Sequence, residues 1–254
     1  MKIKVSIILS LYNSESSLEK TVKSVLNQDY KNFELIIIND GSTDNTRKVL
    51  GKFRKYKKIK IFNFNSNLGL GFRLNYGILK SRGNLIARID DNDIMPKTRI
   101  RNQVKYFQLN NDLDILGGSA IYFDNFKKKK INTILKNEDI KNNLSLFNPL
   151  IHSSIMFKKK SISKIGGYDP HFVRCQDYEL WLRARHILNF KNSKKIFVIR
   201  DVKDFNYQFS NIIFLLKARF KNFKNIFLYP LILILFLKDL SIYLLFNLGI
   251  KKII

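Results

Sequence analysis

Three short polar clusters in this chain carry residue types that can bind or move charge: Tyr12-Asn13, Asn39-Asp40-Gly41-Ser42 and Asp90-Asp91-Asn92-Asp93. Turns attract Asn, Asp and Gly in any protein, so one such cluster by itself is ordinary loop chemistry. The third cluster is harder to explain that way. Three carboxylates within four residues repel one another, and a divalent cation such as Mg²⁺ or Mn²⁺, bound together with a diphosphate, would remove that cost. A further segment, Asn67-Leu68-Gly69, can present backbone N–H groups to a nucleotide at a helix start. Other chemistries find no support. One cysteine and three scattered histidines (His152, His171 and His186) give no zinc spacing, and Cys175 has no evident activating partner. No G-x-x-x-x-G-K-[ST] loop exists. Gly69-Leu70-Gly71 lacks the third glycine of a dinucleotide fingerprint and follows the third strand instead of the first.

The clusters need elements to hold them. Val5 to Leu11 is an apolar run too short for a helix and suits a strand buried on both faces. Ser16-Ser17-Leu18-Glu19 reads as a capping box, followed by Leu18, Val22, Val25 and Leu26 at helical spacing. Leu35 to Ile38 is a second buried strand, a helix signal opens at Thr43 or Asp44, and Ile59 to Phe62 is a third strand. Helical sequence runs from Leu70 to Lys80, and Asn84 to Ile89 is a fourth strand. Strands alternating with helices predict an α/β fold with a mostly parallel central sheet flanked by helices. The clusters then fall at the carboxyl ends of strands, where such sheets bind ligands. Further on, Lys97 to Leu109 predicts a helix and Ile115 to Phe123 a strand. Lys127 to Lys130 predicts a solvated loop, Ile155 to Phe157 a short strand, Gly166-Gly167 a turn and Gln176 to Ile187 a helix.

Length and composition bound the answer. The 254 residues, 45% hydrophobic and 26% charged, suit one principal folded domain with a short appendage. A formal net charge of +26 points to an anionic partner: nucleic acid, nucleotide phosphate or an acidic membrane face. The N-terminal segment reads as a first strand and not as a signal peptide, because Tyr12, Asn13 and Glu15 follow its apolar run. Near the other end, Ile226 to Leu237 is an apolar run with Pro230 inside it, interrupted by Lys238-Asp239 and flanked by Lys217, Arg219, Lys221, Lys224, Lys251 and Lys252. A spanning helix needs about 20 apolar residues. The expectation is therefore a helix lying on an anionic bilayer, with a core helix as the alternative.

The motifs resemble those of family 2 glycosyltransferases. V-S-I-I-L-S-L-Y-N at 5–13, I-I-I-N-D-G-S-T-D at 36–44, N-L-G-L at 67–70, A-R-I-D-D-N-D-I-M-P at 87–96, G-G-Y-D-P at 166–170 and Q-D-Y-E-L-W-L-R at 176–183 occur in the family's order. The resemblance covers roughly residues 3–190 and is nearest to bacterial enzymes that build surface polysaccharide and lipopolysaccharide. It implies a GT-A fold over 1–205, and the basic, apolar segment read above is expected to form a membrane-associated helical tail over 206–254. It also implies an inverting transfer from a nucleotide diphosphate sugar, UDP-linked by preference, to a hydroxyl of a glycan or lipid-linked acceptor, on the inner face of the cytoplasmic membrane.

Position by position, the resemblance implies that Asp40 and Tyr12, with Asn13, Asn67 and Gly69, line the nucleotide pocket. Asp90 is the first Asp of the family's D-x-D and, with Asp91, reaches the ribose and diphosphate. Asn92 stands where the second Asp is expected, so Asp90, Asn92 and Asp93 are the candidate metal ligands. Asp177 matches the catalytic Asp of the family, and His152 a histidine at the acceptor side. As a general base at a helix start, Asp177 is expected to have its pKa lowered by nearby N–H groups. Three of these residues have a plainer alternative: Asp40 as a turn residue, Asp177 as a helix cap, His152 as a structural histidine. A nucleic-acid-binding protein, a processive synthase and an inactive relative are the competing readings. Many of the aromatics sit in apolar runs instead of being interleaved with Lys/Arg, and no nucleic-acid-binding motif appears, so nucleic acid is not an expected partner. The Q-x-x-R-W motif and several spanning helices of a synthase are missing.

Overall fold

The computed structural model describes residues 3–123, 127–202, 208–223 and 229–247. Four strands, β1 (Val5–Leu11), β2 (Phe33–Asn39), β3 (Ile59–Asn63) and β4 (Leu85–Ile89), form a parallel half-sheet in the order β3-β2-β1-β4. Alternate residues of these strands face opposite layers. Ile7, Leu9, Leu35 and Ile37 pack with α1 (Leu18–Leu26), α2 (Thr46–Gly51) and α4 (Arg99–Leu109). Ile8, Ile36, Ile38 and Ile86 pack with α3 (Leu70–Lys80) and the helices of the second half. Burial on both faces is why these strands read as continuous apolar runs.

The sheet continues past β4 with antiparallel pairing. In chain order the added strands are β5 (Asp93–Ile94), β6 (Ile115–Phe123), β7 (Lys128–Ile131), β8 (Met156–Lys158) and β9 (Phe190–Asp201). β8 pairs with β4 and β6, β9 runs parallel to β6, and the two-residue β5 closes on β9. α5 (Asn137–Asn143), α6 (Lys159–Lys164), α7 (Gln176–Ala184) and α8 (Phe209–Asn222) cover this part, and α9 (Tyr229–Asn247) follows. Strand order reverses between β1 and β4, so the switch-point crevice opens there.

Four local expectations are corrected. The capping box does not form: Ser17 makes no side-chain cap, the Ser14 carbonyl accepts the Ser17 and Leu18 N–H groups, and Glu19 pairs with Lys23 and Lys52. The four-lysine run is a strand over most of its length, because pairing with β6 uses only backbone while Lys128 to Lys130 stay exposed. Lysines along a strand of this kind also discourage further edge pairing. The α7 helix stops at Ala184, short of Ile187. Lys238-Asp239 does not interrupt the tail: α9 is continuous for 19 residues, with Pro230 in its first turn. The expected boundary at 205/206 lies outside the described residues. On its far side, Ala218 and Phe223 of the α8 region join the same core as α7.

Candidate active site

Register brings the first-half clusters to one edge. Leu11 is level with Asn39, Asn39 with Asn63 and Leu9 with Ile89, so Tyr12, Asp40 and Asp90 leave the sheet side by side. The Tyr12 side chain is 45% exposed at this edge. Asn13 takes a left-handed φ of 53°, which Asn tolerates better than most residues. Its Oδ1 accepts the Thr43 N–H at 2.9 Å and its own N–H donates to Ser42 Oγ at 2.9 Å, fastening the first turn to the second.

Asp40 is buried and its carboxylate organises the neighbouring turn. Oδ1 accepts from the Leu68 N–H (3.0 Å) and Arg73 Nε (2.5 Å), and Oδ2 from the Gly69 N–H (2.9 Å). Asn67 Oδ1 shares the Gly69 N–H at 3.0 Å. Arg73 also donates to the Ser66 carbonyl and lies 3.7 Å over the Phe64 ring. Two glycines are required here. Gly41 has φ +74° and a Cβ would stand 2.6 Å from the Ser66 carbonyl carbon, while Gly69 has φ +89° at the start of α3.

The acidic cluster is neutralised by arginines. Arg88, two residues earlier on β4, holds both Asp90 oxygens. Arg200 of β9 lies opposite Asp93 in the strand pairing, takes both Asp93 oxygens at 2.7 and 2.8 Å, and reaches Asp90 at 2.5 Å and Ser153 Oγ at 3.0 Å. Burial alone would raise the Asp90 carboxyl, but Arg88 and Arg200 outweigh it and hold it below the usual carboxylate range. Asp91 goes the other way. Burial raises it, helped by the Asp90 and Asp93 charges, although Ser14 Oγ donates to it. Thr21 Oγ1 donates to the Asp91 and Asp93 carbonyls, pinning the loop to α1. Asn92 is exposed. Beneath the loop, buried Arg99 donates to the Arg88 and Ile155 carbonyls, and burial lowers its pKa to about 9.

Across from this loop stand His152, Tyr168 and Asp177. His152 Nε2 and Tyr168 Oη are 2.8 Å apart, and the imidazole packs against Trp181. Burial, then the Arg88 and Arg200 charges, push His152 well below its ordinary value, so the ring is neutral at physiological pH. Asp177 is the second residue of α7, not its cap; Cys175 occupies the cap position with φ 53°. Asn148 Nδ2 donates to Asp177 Oδ2 at 2.8 Å. The helix-start N–H groups do not lower the Asp177 pKa as expected, because burial outweighs them and raises it. Burial, then Asp177 itself, lifts the Cys175 thiol to about 12, which agrees with an inert cysteine. The charge of Arg88 acts on Asp90, His152, Tyr168 and Asp177 alike, which ties both sides of the crevice together.

Among the described residues no three His, Cys, Asp or Glu side chains converge to hold a metal ion unaided. Of the expected ligands, Asp93 lies fully buried under Arg200, Asp90 shares its oxygens between two arginines, and Asn92 faces solvent beside Asp91. Mg²⁺ is ordinarily held by one or two carboxylates together with substrate phosphates and water. Asp91 and Asn92 fit an ion carried in by a diphosphate, not a cage built wholly from protein.

Sequence reasoning missed Arg88, Arg200, Ser14, Tyr168 and Asn148. Arg88 sits in the A-R-I-D-D motif and its spacing from Asp90 was the available signal. Arg200 had none, since 107 residues separate it from Asp93.

The family model for glycosyl transferase family 2 matches residues 6–166. The amylovoran biosynthesis glycosyltransferase AmsE of Erwinia amylovora is 30% identical over 182 residues, covering 70% of this chain and 68% of that protein. The UDP-Gal:alpha-D-GlcNAc-diphosphoundecaprenol beta-1,3-galactosyltransferase of Escherichia coli is 33% identical over 194 residues, covering 71% and 67%. Among solved structures, the mannosyltransferase PcManGT from Pyrobaculum calidifontis, in complex with GDP-Man and Mn²⁺, superimposes with a TM-score of 0.69. The match covers 100% of this chain and 77% of that one at 14% identity, a likeness of fold.

Proposed function

The chain belongs to glycosyl transferase family 2 and has a GT-A fold, and from that premise we propose that it is an inverting enzyme of surface-polysaccharide synthesis. It moves a sugar from a UDP-sugar to a hydroxyl of a glycan or lipid-linked acceptor. The observation that carries this reading is the crevice itself: Tyr12, the Asp40-ordered turn and the acidic loop on one side, and a half-buried Asp177 with a raised pKa on the other. The E. coli relative, named for a UDP-Gal donor and a diphosphoundecaprenol-linked acceptor, supports the donor and acceptor classes.

In this reading Tyr12, Asn13 and the Asn67–Gly69 turn shape the nucleoside pocket, and Asp40 works indirectly by fixing that turn and Arg73. The diphosphate lies over Asp90, Asp91 and Asn92. A divalent ion, held by Asp91 and Asn92, would supply charge to neutralise the leaving diphosphate. Asp93 stays structural. Asp177 accepts the proton of the acceptor hydroxyl while its oxygen attacks the anomeric carbon from the face opposite the diphosphate. The bond from that carbon to the diphosphate oxygen breaks as the new one forms, which inverts the centre. A carboxylate whose pKa is raised toward neutrality is a stronger base while still ionised. Neutral His152 with Tyr168 borders the acceptor side. The protein works in the cytoplasm, peripheral to the inner face of the membrane, with α8 and α9 as the tail that meets the lipid.

A panel of nucleotide sugars tested by thermal shift, with Mg²⁺, Mn²⁺ or EDTA, decides the matter. One UDP-sugar should raise the melting temperature in the presence of the ion, since ligand at about 100 times its Kd stabilises by about 2.7 kcal/mol. No response to any nucleotide sugar, together with salt-dependent DNA binding, would overturn the proposal.

A further inference from the structure

α8 and α9 form an antiparallel hairpin. Phe209 at the start of α8 meets Tyr243 near the end of α9 with ring centroids 5.6 Å apart, and Phe220 meets Tyr229 at the other end at 5.5 Å. One side of the hairpin is committed to the body of the protein. Ala218, Phe223 and Ile232 join the α7 core, and Ile212 and Leu235 are buried. Arg219 Nη1 donates to Asp239 Oδ2 at 2.7 Å, with both side chains buried, and Arg219 Nη2 reaches the Leu146 carbonyl at 3.2 Å. Lys221 adds ion pairs to Asp169 and Glu179.

The other side is apolar and open. Leu233, Ile234, Leu237 and Leu244 are each more than half exposed and fall on one stripe of α9, with Phe209, Phe220 and Tyr229 exposed at the hairpin ends. Lys217 and Lys238 are exposed on the same two helices. A stripe of this kind on a soluble surface marks an interaction site.

We propose that this face of the α8–α9 hairpin docks in the plane of an anionic phospholipid surface, and that the Arg219–Asp239 pair keeps α9 lying on the bilayer instead of crossing it. The inference rests on the peripheral membrane location proposed above. α9 is long and apolar enough to span, with 19 residues and an 18-residue stretch of mean hydropathy 1.8. To span, it would have to leave α8, strand a buried arginine and carry Lys238 and Asp239 into hydrocarbon, each step unfavourable. Charge selects the occupant. A chain of net charge +26 repels a second copy of itself and is drawn to acidic headgroups. Aromatic rings at both ends of the stripe suit the headgroup boundary, and the leucines between them suit the acyl region.

The test uses the full chain with sedimenting vesicles of phosphatidylglycerol or of phosphatidylcholine. Expected are binding to the acidic vesicles at least about tenfold tighter than to the neutral ones, and only partial release by salt, because apolar burial is not screened. Leu233→Glu with Leu237→Glu should abolish binding while leaving UDP-sugar thermal shifts in vesicle-free solution unchanged. Should that variant fold poorly, Lys217→Glu with Lys238→Glu must still erase the preference for phosphatidylglycerol. In inside-out membrane vesicles, Asn247→Cys should react equally with an impermeant maleimide before and after detergent. Reaction only after detergent means that α9 crosses, and overturns the pose. Equal binding to both lipids, or a shift from dimer to monomer in the leucine variant with vesicle binding intact, overturns the lipid assignment. Failure of the nucleotide-sugar test leaves these readouts standing, so the two proposals fail separately.

Discussion

The two sides of the crevice are built by different means. The nucleotide side hangs on the ends of parallel strands whose register is fixed by backbone pairing and two-faced burial, and its side chains mostly bond to neighbouring turns, as Asn13 does to Thr43 and Asp40 to Leu68 and Gly69. The proposed acceptor side, with Asn148 on Asp177 and Tyr168 beside His152, comes from helix starts and turns of the second half, and the same half sends Arg200 of β9 across to clamp Asp90 and Asp93 of the acidic loop. The opposite pKa directions of Asp90 and Asp177 follow from this: arginines hold the first low, and burial lifts the second. A site needs both settings, one carboxylate permanently charged and one able to take a proton.

The comparison breaks first, and most heavily, at Asp177. Asp177→Asn retains an oxygen for Asn148 but cannot accept a proton. Turnover should fall by at least about 10², within the 10²–10⁴ range for lost general-base assistance, while UDP-sugar binding stays normal. Near-wild-type turnover would make Asp177 a structural residue.

Arg200→Ala comes next. It leaves Asp93 buried without its partner, a change that costs about 3–5 kcal/mol in comparable cases, to be read from urea unfolding. A loss under about 1 kcal/mol would show that the acceptor-side strand does not hold the loop.

The pKa directions give a smaller but sharper contrast. Asp90, lowered in the fold, contributes stability above its unfolded pKa that is lost as pH falls through the lower folded value. Asp177, raised in the fold, contributes stability below its unfolded pKa that is lost as pH rises through the higher folded value. Melting curves of Asp177→Asn should therefore exceed wild type at neutral pH and lose that advantage in acid, whereas Asp90→Asn should be less stable than wild type at neutral pH. The wild-type kcat/KM should fall as acid protonates Asp177, at a pH above the usual carboxylate range.

The smallest effect is expected at Asn92. Asn92→Asp adds an exposed carboxylate next to Asp91, so calorimetry should show equal or tighter Mn²⁺ binding in the presence of UDP, with activity intact or higher. Donor affinity unchanged by EDTA in both proteins would remove the ion from the mechanism.

Most of the nucleotide side could be read directly from the chain. Strands such as Val5–Leu11 announce themselves because burial on both faces leaves mostly apolar residues, with only the small Ser6 and Ser10 between them, and their polar ends must then form the crevice edge. The acceptor side was legible only through motif likeness at Asp177 and His152. β9, with Lys194 and Lys195 inside it and a bulge against β6, shows no clean periodicity, and nothing local assigns Arg200 to Asp93. The lysine strand β7 failed for a related reason: its stability lies in backbone pairing with β6, which composition does not report. The tail misled through Asp239, whose partner on α8 turns an apparent interruption into a buried tie.

The arginine clamp on the acidic loop also has a consequence in time. A ribosome makes Asp93 well before it makes Arg200, 107 residues later. At the usual 5–20 residues per second, that interval is on the order of 5–20 s. During it β5 has no strand to pair with, Arg88 alone offsets the loop, and the parallel half must wait with its crevice edge unfinished. The crevice edge is then completed by the arrival of β9, which pairs β5 and brings Arg200 to Asp90 and Asp93 in one event. A nascent chain halted before residue 200 should hold its strands without holding its donor.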